Sequence, residues 1–326
     1  MTAGASSPPQ SVLDLVSERQ AARERRDFAR ADALREQVRA EGWLIRDTSA
    51  GVELVEAPQW EPVDPATAKP RWDEPDQHEV SLIVHVLGWP DDVRRAVASL
   101  AAHCAATDYE VVLVDDGAGA EAGRALEDLA AGDSRISVLH LDPAIGFGAA
   151  MNLGMSQATG RVLVWLDPHV EASGDVLGPL LAALAEPDAG LAGGWGVVTH
   201  SMLDFEADDG PEVDAIEGYL LAVPRRIAAR VELDPRHRYY RNADLDFSFA
   251  VRDLHGGSRR LRAIRVEVPA LRHRHRAYHE TDPAQRERAS KKNYDRFLQR
   301  WKRRTDLLTH GFTGYHRHPH DPGTAS

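Results

Sequence analysis

A single cysteine, Cys104, in 326 residues excludes an intrachain disulfide framework and suits a reducing compartment. No apolar run approaches the ~18 residues that a membrane-spanning helix needs. The opening MTAGASSPPQ has neither a basic n-region nor an apolar h-region, so no secretory signal is expected. Cationic residues are in deficit. Lys and Arg number 39 against 51 Asp and Glu, a formal net charge of −12, which argues against general nucleic-acid binding by the whole chain. These absences together predict a cytoplasmic protein.

What is present is enough for a sizeable core. Hydrophobic residues make up 43% of the chain and charged ones 28%, which fits one large globular domain plus something small. The charge is uneven. Residues 252–304 hold 17 Lys/Arg against 6 Asp/Glu, a net of +11, so the remainder carries −23. A basic segment in an acidic protein suggests a local anionic partner: a diphosphate, a lipid headgroup or the inner face of a membrane. The plainer alternative is a solvated helical face.

Along the chain, residues 1–10 read as disordered and 11–56 as a compact first unit. Ser11 is placed to cap a helix running to about Arg26, and Asp27 to cap a second helix. In that second helix Phe28, Ala31, Leu34 and Val38 recur at helical spacing, with Gly42 as the stop. "WLIRDTSAGVELV" then reads as a hairpin turning at Ser49-Ala50-Gly51. One helical hairpin and two strands are too small to be secure alone, so packing on the larger domain or on a partner is expected. Residues 57–78 carry five prolines, which prevent regular structure and stiffen the chain into a linker. Trp60 and Trp72 suggest that this linker is pinned to a surface.

From Glu79 strands and helices alternate: "VSLIVHVLG", "PDDVRRAVASLAAHC", "YEVVLVDDG", "AEAGRALEDLAA", "ISVLHLD", "GFGAAMNLGMSQA", "RVLVWLD". That alternation predicts an α/β fold with a mostly parallel sheet covered on both faces. Ligands of such sheets bind beyond the carboxyl ends of the strands. Those ends are His85–Gly88, Asp115-Asp116-Gly117, Asp142 and Asp167-Pro168-His169. Carboxylates gathered at one edge repel one another unless cations intervene.

Two families are resembled. "ERQAARERRDFARADALREQVRAEGWLIRDTSAGVEL", residues 18–54, is similar to the C-terminal helical segment of cysteinyl-tRNA synthetases and carries no catalytic motif. It implies a shape: an RNA-contacting appendage, or a reused hairpin for packing. Eight Arg balance eight acidic residues over residues 1–47, which favours packing and makes nucleic acid an unexpected partner. Residues 79–304 resemble a family 2 glycosyltransferase of GT-A fold through "VSLIVHVLGWPDDVRRAVASL", "EVVLVDDGAG", "IGFGAAMNLGMSQATGRVLVWLDPHV", "VDAIEGYLLAVPRR", "NADLDFSFAVRDLHG" and "KKNYDRFLQRW", in that order. A GT-A domain over 79–310 and a His-rich tail over 311–326 follow. A sugar nucleotidylyltransferase shares the sheet type, but "GWPDDVRR" lacks the Gly-rich basic phosphate loop it needs.

The resemblance implies roles. His85, Asp115 and Asp116 would line the nucleotide pocket, Asp115 accepting from base or ribose. Phe147, Gly148 and Asn152 would open the helix beside the donor, with Gly146 and Gly148 allowing close backbone approach. Ala144 stands where the family has Asn. Asp167-Pro168-His169 occupies the place of the Asp-x-Asp motif, whose divalent metal bridges the phosphates of a nucleotide-diphosphate sugar and neutralises the leaving group. An imidazole in the second position shifts preference from Mg²⁺ towards Mn²⁺. An Asp-x-His pair with a distant third His is also similar to polypeptide N-acetylgalactosaminyltransferases. The third ligand would be His273 or His275 of "LRHRHRAYHE", which as strand alternates would share a face. The alternative is a basic surface strand, or Arg272, Arg274 and Arg276 gripping the diphosphate.

Inverting transfer needs a carboxylate base for the acceptor hydroxyl. The family's Glu-Asp pair reads Ala243-Asp244 here, so Asp244 is the base candidate, with a plain helix cap as the alternative. Glu217 and Gly218 would lie near the acceptor sugar, and Trp195 would stack on a sugar ring. The acceptor class stays open: a glycan, a lipid-linked group or a protein. Three departures, Ala144, His169 and Ala243, keep a second function in view, a nucleotide-sugar-binding module without turnover. A third is an RNA-associated protein led by the N-terminal hairpin.

Overall fold

A computed structural model describes residues 7–48, 51–57 and 60–315. The chain divides into two compact units. One runs to Glu61 and includes Gly119–Ala125; the other holds Pro62–Ala118 and everything from Leu126 onward.

The first unit contains α1 (Gln10–Glu24), α2 (Phe28–Ala40), β1 (Trp43–Thr48) and β2 (Gly51–Glu56). Ser11 is not the cap of α1. Pro9, extended at φ −64°, takes that position, and the helix starts directly after the Pro-Pro pair without a side-chain cap. Asp27 does cap α2, accepting the Arg30 N–H at 3.1 Å, and Gly42 ends it at φ +81°. Ala31, Leu34 and Val38 are buried as their spacing predicts, whereas Phe28 at the helix start stays 62% exposed. The strands pair antiparallel from Trp43↔Glu56 to Thr48↔Gly51; Ser49 and Ala50 of the expected turn lie outside the described residues. Arg19 and Arg23 both close on Asp47, at 2.8 and 2.6 Å. The Arg19 hydrogen bond outweighs burial and brings the Asp47 carboxyl down to about 2. Two of the unit's arginines thus share one internal carboxylate.

The second unit opens with an irregular stretch up to Gln77, in which Trp72 packs into the core beside Val63 and Ala68. Then come β3 (His78–Val86), α3 (Pro90–His103), β4 (Tyr109–Asp115), α4 (Ala120–Gly132), whose residues up to Ala125 are counted with the first unit, β5 (Ile136–His140), α5 (Phe147–Gln157) and β6 (Gly160–Leu166). A shorter-stepped half follows: β7 (Val170–Ala172), α6 (Leu177–Leu184), β8 (Ala189–Gly193), β9 (Gly196–Val198), β10 (Glu206–Asp208), β11 (Glu212–Val213), β12 (Ala215–Ile216), β13 (Leu220–Pro224) and α7 (Arg225–Ala228). It ends with α8 (Ala243–Arg252), β14 (His255–Gly256), β15 (Arg259–Arg260), β16 (Arg262–Arg265), β17 (Ala270–Arg272), α9 (Arg276–Glu280) and α10 (Pro283–Trp301).

The main sheet has eight strands in the order β11-β16-β8-β13-β6-β3-β4-β5. Four neighbour pairs are parallel, β16–β8, β6–β3, β3–β4 and β4–β5; the other three are antiparallel. β3 shows why the central strands read as unbroken apolar runs. Val80, Leu82, Val84 and Val86 face one core with α3 and α6, while Ile83 faces the other with α5 and α8. Among the described residues no helix is long and apolar enough to cross a membrane.

Topology places the site. β3, β4 and β6 run parallel, so their carboxyl ends share one edge. β13 runs antiparallel to β6 with Leu220 opposite Leu166, so the residues just before it, Glu217 to Tyr219, arrive at that same edge. β17 pairs antiparallel with β7, Arg272 opposite Val170, and returns the chain across the Asp167 loop.

Candidate active site and metal centre

β6 ends at Leu166, and Asp167 turns the chain. Its N–H donates to the Tyr219 carbonyl at 2.9 Å. Its Oδ1 accepts the His169 N–H at 2.8 Å and faces His169 Nδ1 at 2.7 Å. Its Oδ2 faces His275 Nε2 at 3.0 Å. One carboxylate therefore sits between two imidazoles, and their ligand atoms lie within 4.8 Å of one another. The far nitrogens assign the protons. His169 Nε2 accepts the Arg276 N–H at 3.0 Å and His275 Nδ1 accepts the Tyr278 N–H at 3.2 Å, so each ring presents an N–H to Asp167. Burial alone would raise the Asp167 carboxyl, but the hydrogen bonds from His169 and His275 hold it well below the usual range. The rings are stacked, His169 on His275 at 4.4 Å and His275 under Tyr240 at 4.6 Å.

Of the two candidates for the third position, His275 is brought in and His273 is not. The strand that was to place both on one face ends at Arg272. His273 N–H goes to the His169 carbonyl while its ring reaches Glu171 at 2.6 Å. His275 instead caps α9. A carboxylate and two imidazoles form a donor set that would suit a divalent transition-metal ion, once the ring nitrogens facing Asp167 give up their protons.

The remaining donor-side residues divide. His85 lines the cleft with Phe147, edge to face at 5.1 Å, and reaches Asp116 Oδ2 at 3.1 Å. Asp116 also accepts the Ile145 and Gly146 N–H groups. Asp115 is 4% exposed, with one oxygen on the Ala118 N–H at 2.8 Å and the other on His140 at 2.7 Å. Asn152 is turned away from the cleft: its amide brackets the backbone of Leu233, donating at 2.8 Å and accepting at 3.0 Å. Gly146 and Gly148 do permit close approach, but to protein. A Cβ on Gly146 would lie 2.9 Å from Arg238 Cα, and one on Gly148 would lie 2.5 Å from the Asp234 carbonyl. Ala144 packs against Gly117 and accepts from Arg238.

On the acceptor side, α8 begins beside Gly218. Asn242, at φ +65°, holds the cap position, so Asp244 is not the cap. Asp244 accepts the Gly218 N–H at 2.9 Å and the Leu245 N–H at 3.0 Å; burial nevertheless pushes its carboxyl up. Burial, then the nearby Asp244 charge, raises Glu217 to about 7. Arg272 faces Glu217 at 3.6 Å and lies over the rings of Trp195 and Tyr219, at 4.9 and 4.7 Å. The Trp195 face is thus taken by a guanidinium. Asp92 and Tyr240, also at the imidazole stack, stand out in no sequence motif, and Arg276, a candidate for the diphosphate, pairs with Asp92 instead. Asp92 reads in sequence as an ordinary first-turn acid of α3, and only the fold shows otherwise.

A mixed sheet with carboxylate and imidazole groups at its carboxyl edge, and an acid at the start of a facing helix, defines a GT-A type protein. The family model "Glycosyl transferase family 2" matches residues 81–261, and the chain belongs to that family. A second model, "Cysteinyl-tRNA ligase anticodon binding domain", matches residues 8–53. Polypeptide N-acetylgalactosaminyltransferase 15 of Mus musculus is 33% identical over 108 residues, 33% of this chain and 17% of that protein. Undecaprenyl-phosphate 4-deoxy-4-formamido-L-arabinose transferase of Pseudomonas fluorescens is 32% identical over 97 residues, 29% of this chain and 28% of that protein. The matches thus span under a third of these relatives' own lengths. The crystal structure of GalNAc-T7 with UDP, GalNAc and Mn²⁺ shares the fold, with a TM-score of 0.54 at 17% identity over 69% of this chain and 48% of that one.

Proposed function

We propose that the chain is an inverting glycosyltransferase that moves a sugar from a nucleotide-diphosphate donor to an acceptor hydroxyl. A divalent cation, Mn²⁺ before Mg²⁺, would be held by Asp167, His169 and His275. The observation that carries this reading is the meeting of Asp167 and His169 with His275, 108 residues beyond Asp167, at the carboxyl edge of the sheet. The domain plan is a GT-A domain over 79–310 joined by residues 57–78 to the 11–56 appendage.

The bound cation would supply charge neutralisation to the departing diphosphate. The chain's own residues do the rest. Asp244, raised by burial and fixed by two backbone N–H groups, takes the acceptor proton as the hydroxyl oxygen attacks the anomeric carbon. The bond to the donor phosphate breaks on the opposite side, and its electron pair leaves with the nucleoside diphosphate. Gly218 brings its backbone up to Asp244, where a Cβ would lie 3.5 Å from the Asp244 Cβ, and Arg272 faces Glu217 beside them at 3.6 Å. The cavity at the stacked rings measures about 50 Å³, room for a cation and a water or two. Leu87, Trp89 and Tyr240 line the same cleft.

The test is a panel of nucleotide sugars with Mn²⁺, read by donor hydrolysis and by calorimetric binding. The expected result is Mn²⁺-dependent binding and hydrolysis of at least one donor, both lost in His275→Ala and kept in His273→Ala. No binding and no hydrolysis across the panel overturns the reading. Binding without turnover, unchanged in Asp244→Asn, makes the chain a binding module instead.

A further inference from the structure

We propose that Asp92 is a positioning residue of the cation site, setting the ring of His169 and the chain that delivers His275; this rests on the reading of Asp167, His169 and His275 as the cation ligands. Asp92 lies in the first turn of α3, where a negative charge is favoured by the helix dipole. An acid at that position usually stays at the surface and turns back to the helix start. This one is 2% exposed. Its Oδ1 accepts from Arg95 at 2.8 Å. Its Oδ2 is buried without a well-aligned hydrogen bond and points into the cleft that Asp167, His169 and His275 also line. Leaving a buried carboxylate oxygen in that state is costly, so the arrangement calls for a role beyond capping a helix.

Two contacts define the role. Asp92 Oδ2 lies 3.6 Å from His169 Nε2, at the ring edge opposite the one facing Asp167. It also lies 3.1 Å from Arg276 Nε. Arg276 directly follows His275, and its own N–H meets His169 Nε2 at 3.0 Å. One carboxylate thus pairs with the arginine next to one ligand, whose own N–H meets the outer nitrogen of the other, and lies close to that outer ring edge. A ligating imidazole is oriented by the group at its far nitrogen, and loss of such a partner typically weakens metal binding 10–100-fold. His169 replaces the second carboxylate of the usual motif, and Asp92 supplies a carboxylate from a different element to hold that imidazole in place.

The test is calorimetric titration of Mn²⁺ into the full chain, with metal-free melting temperatures measured alongside. Asp92→Asn keeps the acceptor for Arg95 and removes the charge facing His169 and Arg276; it is expected to weaken Mn²⁺ binding about 10–100-fold. Arg276→Gln cuts the same link from a half-exposed side chain and is expected to weaken it several-fold, which keeps the proposal testable if Asp92→Asn does not fold. Arg95→Ala removes the partner of Oδ1, and a 3.6 Å ion pair to Glu171 with it, but leaves Oδ2 facing His169 and Arg276; it is expected to lower the metal-free melting temperature while changing affinity less than about two-fold. Wild-type affinity in both Asp92→Asn and Arg276→Gln overturns the proposal, as does an equal loss in Arg95→Ala, which would reveal a purely structural role. Failure of the wild-type chain to take up Mn²⁺ overturns the cation reading itself, and this proposal with it.

Discussion

At the scale of single residues, the two carboxylates near Gly218 separate by environment. Asp244 is anchored by two backbone N–H groups, and Asp244→Asn preserves an acceptor for at least one of them. Transfer rate is expected to fall about 10²–10⁴-fold with donor affinity unchanged, measured by steady-state kinetics beside calorimetry. Glu217 carries a pH signature. Burial and the Asp244 charge lift it to about 7 from 4.5, so the folded chain keeps a proton that the unfolded chain releases. Its contribution to stability is full below about pH 4.5 and is lost as pH rises through 7. Glu217→Gln should therefore gain on the wild type between those limits, by roughly 1–3 kcal/mol in urea unfolding at pH 8 relative to pH 4. Equal pH profiles for the two proteins would contradict this assignment. The apolar pattern marked the strand end at Asp167; His169 was placed by resemblance to the family's metal motif, and Asp244 by its register against the family's Glu-Asp pair. The choice of His275 over His273 was not legible: it depends on where β17 stops.

Elements explain why some expected contacts turned elsewhere. The glycines ahead of α5 read as a loop for a ligand, and the structure uses them to let the 234–238 segment pass. Gly148→Ala would drive a Cβ to 2.5 Å from the Asp234 carbonyl. Its expected cost is about 1–3 kcal/mol, read by urea unfolding without any nucleotide present. Unchanged stability with weakened donor binding would restore the ligand role. Asn152 belongs to the same joint, tying α5 to Leu233. Strand and helix succession from Glu79 to Leu166 was visible in alternating apolar runs, since buried parallel strands leave no polar face to blur them. The half after Leu166 was harder to read. Its strands are two to five residues long, and pieces that short carry too little periodicity to register.

For the whole molecule, charge and exposed aromatics combine at the end of the family 2 domain. On α10, Asn293, Phe297 and Trp301 face the core. Arg288 and Lys292, with Lys302 and Arg303 beyond the helix, are exposed. Beside them Phe312 and Tyr315, 38% and 51% exposed, pack edge to face at 4.8 Å, with Lys302 over the Tyr315 ring. Cations flanking exposed aromatics suit the headgroup region of an anionic bilayer. The expectation is co-sedimentation with anionic phosphatidylglycerol vesicles but not with phosphatidylcholine vesicles, weakened by 0.5 M salt and by Phe312→Ser with Tyr315→Ser. Equal behaviour with both lipids would leave the segment as a solvated face. The amino-acid order by itself determined the class of fold, the succession of strands and helices from Glu79 to Leu166 and the strand-end acids, because hydrophobic periodicity and turn residues are local signals. Only the tertiary structure decided which distant groups meet. Antiparallel β13 carried Gly218 to Asp167, the short β17 released His275 towards it, and α3 delivered the buried Asp92. Each is a matter of register and direction between segments that no local pattern encodes.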